Sequence, residues 1–203
     1  MCCVTSDAHQ GLRRAVEETY PEATWQRCIV HLERDIISHM KTKRQRGMAA
    51  RVIKAVFHES DPILVRELYH IAIVEISKIN KRAGELLEEA EVDALAYLDF
   101  PPEHHRRLRT NNIQERENRE IKRRSRVVQV FPSVKSLIRL VGAVCSETDE
   151  DWSSRKYISP DSLLELKEDF IPLALIETDE ATKERALRLI AVAKDIDLKR
   201  KTA

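Results

Sequence analysis

Breaks are scarce along this sequence. Four glycines and seven prolines in 203 residues leave long stretches in which a helix can run uninterrupted. From residue 31 to about residue 100 the apolar pattern has helical spacing almost throughout. Ile53, Val56 and Phe57 share one face, Leu64, Leu68, Ile71 and Glu75 another, and Leu86, Leu87, Ala90, Ala94 and Leu98 continue the series. Phe100-Pro101-Pro102 closes that block. The expectation is a mainly α chain.

The first thirty residues differ. Cys2-Cys3-Val4-Thr5 is a short apolar run that stops at Ser6-Asp7, and a helix-like stretch follows from about Ala8 to Tyr20. Ala23–Val30, with Trp25, Cys28, Ile29 and Val30, reads as a second short strand. Strand, helix, strand is the grammar of an α/β unit. One or two strands do not make a sheet stable alone, and nothing downstream offers convincing further ones. A sheet with such unpaired edges carries an expectation of poor solubility. After Pro102 come a polar segment from Thr110 to Arg126, an apolar Val127–Phe131 and a helix from about Ser133 to Ser146. Helix-like stretches from Asp161 onwards end on Lys199-Arg200-Lys201.

Hydrophobic residues at 42% and charged residues at 34% describe a folded globular chain, not a disordered one. No apolar run approaches the ~20 residues of a membrane span, and the N-terminus lacks the basic and apolar regions of a signal peptide. The four cysteines suggest no secreted disulfide framework. These features predict an intracellular protein with no membrane partner. Net charge is only +1, but the charge is sorted. Residues 40–54 hold six basic side chains and no acidic one; residues 106–126 hold nine against Glu115, Glu117 and Glu120, a local balance of 9 − 3 = +6. Acidic residues collect at 85–93 and 147–151. Sorting of this kind can present a phosphate-binding face on a nearly neutral chain.

Three constellations could carry chemistry. Asp7 sits where a strand gives way to a helix, a good place for a metal-binding carboxylate. Followed by Gln10, it also has the spacing of a capping box, and the two roles are compatible. The segment Thr110–Arg124, if helical, has only Ile113 and Ile121 as large apolar residues. It is either a solvated helix held by pairs such as Glu115–Arg119, or a place where DNA phosphates meet a carboxylate-bound ion. Cys28 and His31 form a Cys-x-x-His pair, too short for a zinc site by itself and better read as a buried cysteine with a hydrogen-bonded histidine. His104-His105 beside Arg106-Arg107 reads as a solvated basic patch.

Several separated motifs, in order, resemble the mutator-type transposases of bacterial insertion sequences. They are Ser6-Asp7-Ala8-His9-Gln-Gly11-Leu12, Trp25-Gln26-Arg27-Cys28-Ile-Val-His31, Phe100-Pro101, Arg109-Thr110-Asn111-Asn112-Ile-Gln-Glu115-Arg116-Glu-Asn118-Arg-Glu120-Ile121, Arg123-Arg124-Ser-Arg126-Val127-Val128, Phe131-Pro132 and Ser136-Leu137. The likeness runs from the first residues to about Trp152. It implies the C-terminal fragment of a ribonuclease-H-like catalytic core with an all-helical insertion, so mainly α with a small α/β part. The implied division is a partial core over 1–30, the insertion over 31–102, a return to the core with the catalytic glutamate helix over 103–152, and a helical tail over 153–203.

The resemblance further implies an Asp, Asp, Glu triad holding Mg²⁺ or Mn²⁺, with Asp7 as the second carboxylate, Glu115 as the third, and the first on a strand upstream of Met1. Cys28 and His31 match a signature of these enzymes at the active-site edge. Arg116, Arg119, Lys122, Arg123 and Arg124 are the candidates for phosphate contacts, on charge and position. The implied partners are transposon-end and target DNA and, in the full-length form, further copies of the same chain, at the nucleoid of a bacterial cytoplasm. With one carboxylate missing, the chain alone is expected neither to cut nor to join DNA. The alternatives are a non-catalytic DNA-binding fragment that interferes with a full-length transposase, and a helical interaction protein with no DNA role. Glu117 and Gln114 depart from the family, which usually has apolar residues there.

Overall fold

The computed structural model describes residues 3–153 and 178–199, with side chains to residue 195. These fall into two units, one from residues 1–110 and 168–203 and the other from residues 111–167. The architecture is mainly helical with one two-stranded parallel sheet.

In the first unit, β1 (Cys3–Ser6) pairs in parallel with β2 (Thr24–Arg27), Cys3 opposite Thr24 and Ser6 opposite Arg27. Parallel strands need a crossover, and α1 (Gln10–Thr19) supplies it. Asp7 is not the cap of this helix. The N-cap is His9, whose Nδ1 accepts from the Gly11 amide at 3.2 Å, because the helix starts two residues later than the apolar pattern suggests. The strand expected over 23–30 is also shorter. It ends at Arg27, and Ile29 opens α2 (Ile29–Ser38) with Cys28 at its N-cap. Ile29, Leu32 and Ile36 bury one helical stripe, so burial at helical spacing overrides the strand preference of Ile29 and Val30.

A run of helices follows: α3 (Lys43–His58), α4 (Pro62–Ile79), α5 (Lys81–Glu89), α6 (Glu91–Leu95), a 3-10 turn over Ala96–Asp99, and α7 (Pro102–Leu108). Each long helix starts on a side-chain cap. Thr42 and Gln45 form a capping box, Asp61 accepts from Ile63 with Pro62 in the first turn, and Asn80 accepts from Ala83. Most residues of the faces read from spacing are buried: Ile53, Val56 and Phe57; Leu64 and Leu68; Leu87, Ala90, Ala94 and Leu98. Ile71, Glu75 and Leu86, read on the same faces, are half-buried at the margin of the core. Each large side chain in this cluster contributes about 1.5–3 kcal/mol on burial. The final described helix, α10 (Glu180–Lys199), adds Ala186 and Ile190 to the same core. Arg51 donates from Nε to the Ala193 carbonyl at 2.9 Å, and Lys194 pairs with Glu75. Burial raises the Glu75 carboxyl, but its hydrogen bonds from Lys194 and Lys78 outweigh that and hold it below the usual range.

Polar side chains join the small sheet to these helices. Gln26 is fully buried; its Nε2 donates to the carbonyls of Arg27 (2.7 Å) and Ala94 (3.0 Å), and its Oε1 accepts from the Tyr97 amide at 2.7 Å. Thr5 donates to the Leu108 carbonyl and the Ile29 amide to the Arg109 carbonyl, which fixes the end of α7 beside the strands. His104 and His105 are buried, not part of a solvated patch. His105 lies edge-on to Tyr97 and places Nε2 2.6 Å from the Phe100 carbonyl, and burial lowers its pKa. The reason is α7, a short helix after the proline pair that the charge of Arg106-Arg107 conceals.

The second unit is described over 111–153 as α8 (Asn112–Val128) and α9 (Val134–Ser153), with Val144 the one buried residue among its described positions. Gln129 ends α8 at φ 60°, a left-handed conformation that costs a non-glycine residue about 1 kcal/mol or more. Helix-like stretches expected between 161 and 177 lie outside the described residues. No helix among the described residues is long and apolar enough to cross a membrane.

Candidate metal and DNA-binding residues

Asp7 immediately follows the last residue of β1, at the carboxyl end of a parallel strand, where open α/β sheets gather their ligands. Its carboxylate is about half exposed, and Oδ1 lies 3.4 Å from Nδ1 of His31 in the first turn of α2. Cys28 immediately follows the neighbouring strand β2, fully buried, its amide bonded to the Ser6 carbonyl at 2.9 Å. The sheet therefore brings Asp7, Cys28 and His31 to one edge. Around them the strand ends are braced. Trp25 donates from its indole to Ser6 Oγ at 2.9 Å, and the Arg13 guanidinium lies 4.7 Å from the centre of the Trp25 ring while pairing with Asp93 at 3.1 Å. Burial raises the Asp93 carboxyl, and Arg13 offsets part of that.

Glu115 stands in the first turn of α8, where the helix dipole favours a carboxylate. At 100° per residue, Arg116, Arg119, Arg123 and Arg126 fall within an arc of about 80°, with Glu115 and Lys122 along one flank of it. Arg116, Arg119 and Lys122 are exposed and have no ion-pair partner among the described residues. Arg123 and Arg124 are engaged: both bind Glu120, at 2.7 and 2.9 Å, and Arg124 reaches Glu147 at 2.7 Å. Hydrogen bonds from Arg123 and then Arg124 pull the Glu120 carboxyl down to about 2. A phosphate competing for those two arginines must first displace a carboxylate.

Carboxylate oxygens at Asp7 and Glu115 are the donor chemistry of a hard divalent ion. They belong to different units, and among the described residues no three His, Cys, Asp or Glu side chains cluster as metal ligands. The donors fit such an ion in kind but not in number. By the same observation, Cys28 and His31 have none of the further ligands a zinc centre needs among the described residues.

Glu117 shows what its departure from an apolar residue does. Its Oε2 accepts from Thr148 Oγ1 at 2.8 Å, tying α8 to α9, while Oε1 is buried with no hydrogen-bond partner. The Val144 carbonyl, 2.9 Å from Thr148 Oγ1, is an alternative acceptor for the one hydroxyl hydrogen, so Thr148 keeps a partner without Glu117. Glu117→Leu is therefore expected to stabilise the α8–α9 pair by about 1–3 kcal/mol, the cost of the unpaired oxygen. A lower midpoint of thermal unfolding, followed by circular dichroism, would show that the carboxylate is a net support instead.

Residues 1–155 match the sequence model of a family described as Transposase, Mutator family. The chain is 34% identical over 183 residues to the transposase for insertion sequence element IS1081 of Mycobacterium tuberculosis, covering 90% of this chain and 43% of that protein. It is 35% identical over 153 residues to the transposase for IS406 of Burkholderia multivorans, covering 75% and 39%. It is 35% identical over 163 residues to the transposase for IS256 in transposon Tn4001 of Staphylococcus aureus, covering 78% and 41%. The chain thus spans about two fifths of the length of these relatives. No solved structure matches it.

Proposed function

The chain belongs to the mutator family of transposases, and from that membership we propose that it forms part of the machinery that cuts and rejoins DNA at insertion-sequence ends. The observation that carries this reading is the place of Asp7, at the carboxyl end of a parallel strand beside His31. That is where a ribonuclease-H-like core would hold a catalytic carboxylate. Asp7 and Glu115 are the proposed donors toward Mg²⁺ or Mn²⁺, an ion that supplies charge neutralisation and activation of the attacking oxygen. Arg116, Arg119 and Lys122 are the readiest phosphate contacts, since no carboxylate neutralises them among the described residues. Holding two transposon ends together would call for more than one copy of the chain.

Two carboxylates do not complete a three-carboxylate set, so the 203-residue chain is proposed to bind DNA without cutting it. A plasmid-nicking assay in Mg²⁺ and in Mn²⁺ is expected to show no cleavage above buffer. Nicking that Glu115→Ala abolishes would overturn the proposed inactivity and leave the family chemistry standing. The α8 cations that have no ion-pair partner among the described residues favour a second reading, a DNA-binding chain that interferes with a longer transposase. Co-expression should then reduce excision by a full-length copy, and undiminished excision would remove that reading.

A further inference from the structure

The corner between α2 and α3 carries cations that folding does not use. Among the helices described, α3 alone has no carboxylate in its own sequence. Three of its cations have work within the fold. Arg51 donates to the Ala193 carbonyl, Arg46 donates from Nε to the Met40 carbonyl at 3.0 Å, and Lys54 lies 3.8 Å from Glu33. Lys41, Lys43 and Arg44 are exposed and have no ion-pair partner among the described residues. Several other cations of this unit do find a carboxylate about one turn away: Lys81 with Glu85, Lys183 with Glu180, Arg188 with Glu184.

Position sharpens the contrast. Lys43 and Arg44 are the first two residues of α3, where the positive pole of the helix repels a cation. Their charge therefore opposes the local fold. The backbone that presents them is nevertheless well ordered. Gln45 Oε1 accepts from the amides of Lys41 and Thr42, each at 3.1 Å, and the Gln45 amide donates to Thr42 Oγ1 at 3.1 Å. Asn80 donates to the His39 carbonyl at 3.0 Å, and Met40 is buried beneath the turn. A partner docking here would order side chains only, not backbone.

We propose that Lys41, Lys43 and Arg44 form a second DNA-contacting surface, gripping duplex phosphates through a corner of the helical insertion separate from α8. The proposal rests on the transposase reading above. Flexible, exposed cations with no buried polar partner suit a repeating row of charges, such as a phosphodiester backbone, better than one enclosed phosphate. Contacts of this kind are independent of sequence and weaken with salt.

The test uses the whole 203-residue chain and a fluorescent duplex of unrelated sequence, titrated across a range of salt. The combined variant Lys41→Gln, Lys43→Gln, Arg44→Gln is expected to flatten the slope of log affinity against log salt by about two to three. It should also melt no lower than the parent, because the charges removed oppose the helix dipole. An unchanged slope overturns the proposal, as does a lowered melting temperature, which would mark the corner as structural. If this variant binds like the parent while Arg116→Gln, Arg119→Gln, Lys122→Gln loses slope, only the corner contact falls. If the parent binds no duplex at all, the DNA-binding reading falls with it.

Discussion

Gln26→Met is expected to destabilise the first unit by about 3 kcal/mol or more. Methionine matches the length of glutamine, so the substitution removes hydrogen bonds while nearly conserving volume. Left behind are the Ala94 carbonyl and the Tyr97 amide, each served by the Gln26 side chain in a buried setting, together with the Arg27 carbonyl. An unsatisfied buried polar group costs about 1–3 kcal/mol, and the losses here fall on neighbouring groups. Urea unfolding should show a lower midpoint at unchanged slope. A loss below about 1 kcal/mol would mean that water replaces the amide, and that Gln26 does not join the sheet to α6 and the 3-10 turn.

Gly84→Ala should be nearly as damaging, for the opposite reason. A methyl group added there would lie 1.9 Å from Ser77 Oγ and 2.9 Å from both Ser77 Cβ and Cα. A serine hydroxyl can rotate away, but a backbone carbon cannot, so α4 and α5 would have to separate. Overpacking of this kind costs about 1–3 kcal/mol. Adding Ser77→Ala to the variant should recover only part of the loss, because the clash with the Ser77 main chain persists. Full recovery in the double variant, measured by thermal unfolding, would show that the hydroxyl alone set the limit.

Neither residue announces itself in the sequence, and the reason is shared. Gln26 and Gly84 act on partners far along the chain or on the facing helix, which local periodicity does not reveal. The helical faces were legible because burial repeats at a fixed period: Ile53, Val56 and Phe57, or Leu64 and Leu68, need no knowledge of what they pack against. Asp7 was legible as a strand-end carboxylate, while the cap its spacing suggested is supplied instead by His9, a side chain rarely expected there. Ile29 and Val30 look like strand residues and become helix because Leu32 and Ile36 continue their stripe. His104 and His105 were hidden by the arginines that follow them. For the site, chain motifs point to Asp7, Glu115, Cys28 and His31, and the parallel register shows why Asp7, Cys28 and His31 share an edge. The pairing of Arg123 and Arg124 with Glu120 depends on rotamers that spacing only permits.

The packing of α10 on α3 and α4 has a consequence for how the protein is made. Ala186, Ile190 and Ala193 are buried, Ala186 and Ile190 in the same cluster as residues of α3 and α4, and Arg51 waits for the Ala193 carbonyl. A ribosome delivers the faces of α3 and α4 more than a hundred residues before it delivers their cover. Until synthesis reaches α10, that part of α3 and α4 remains apolar surface in water, open to chaperones and proteases. A chain stopped just after α9 would keep every residue of the family motifs and still carry that exposed face. Premature termination near the end of the message is then a route to rapid clearance of the protein, with Asp7 and Glu115 untouched.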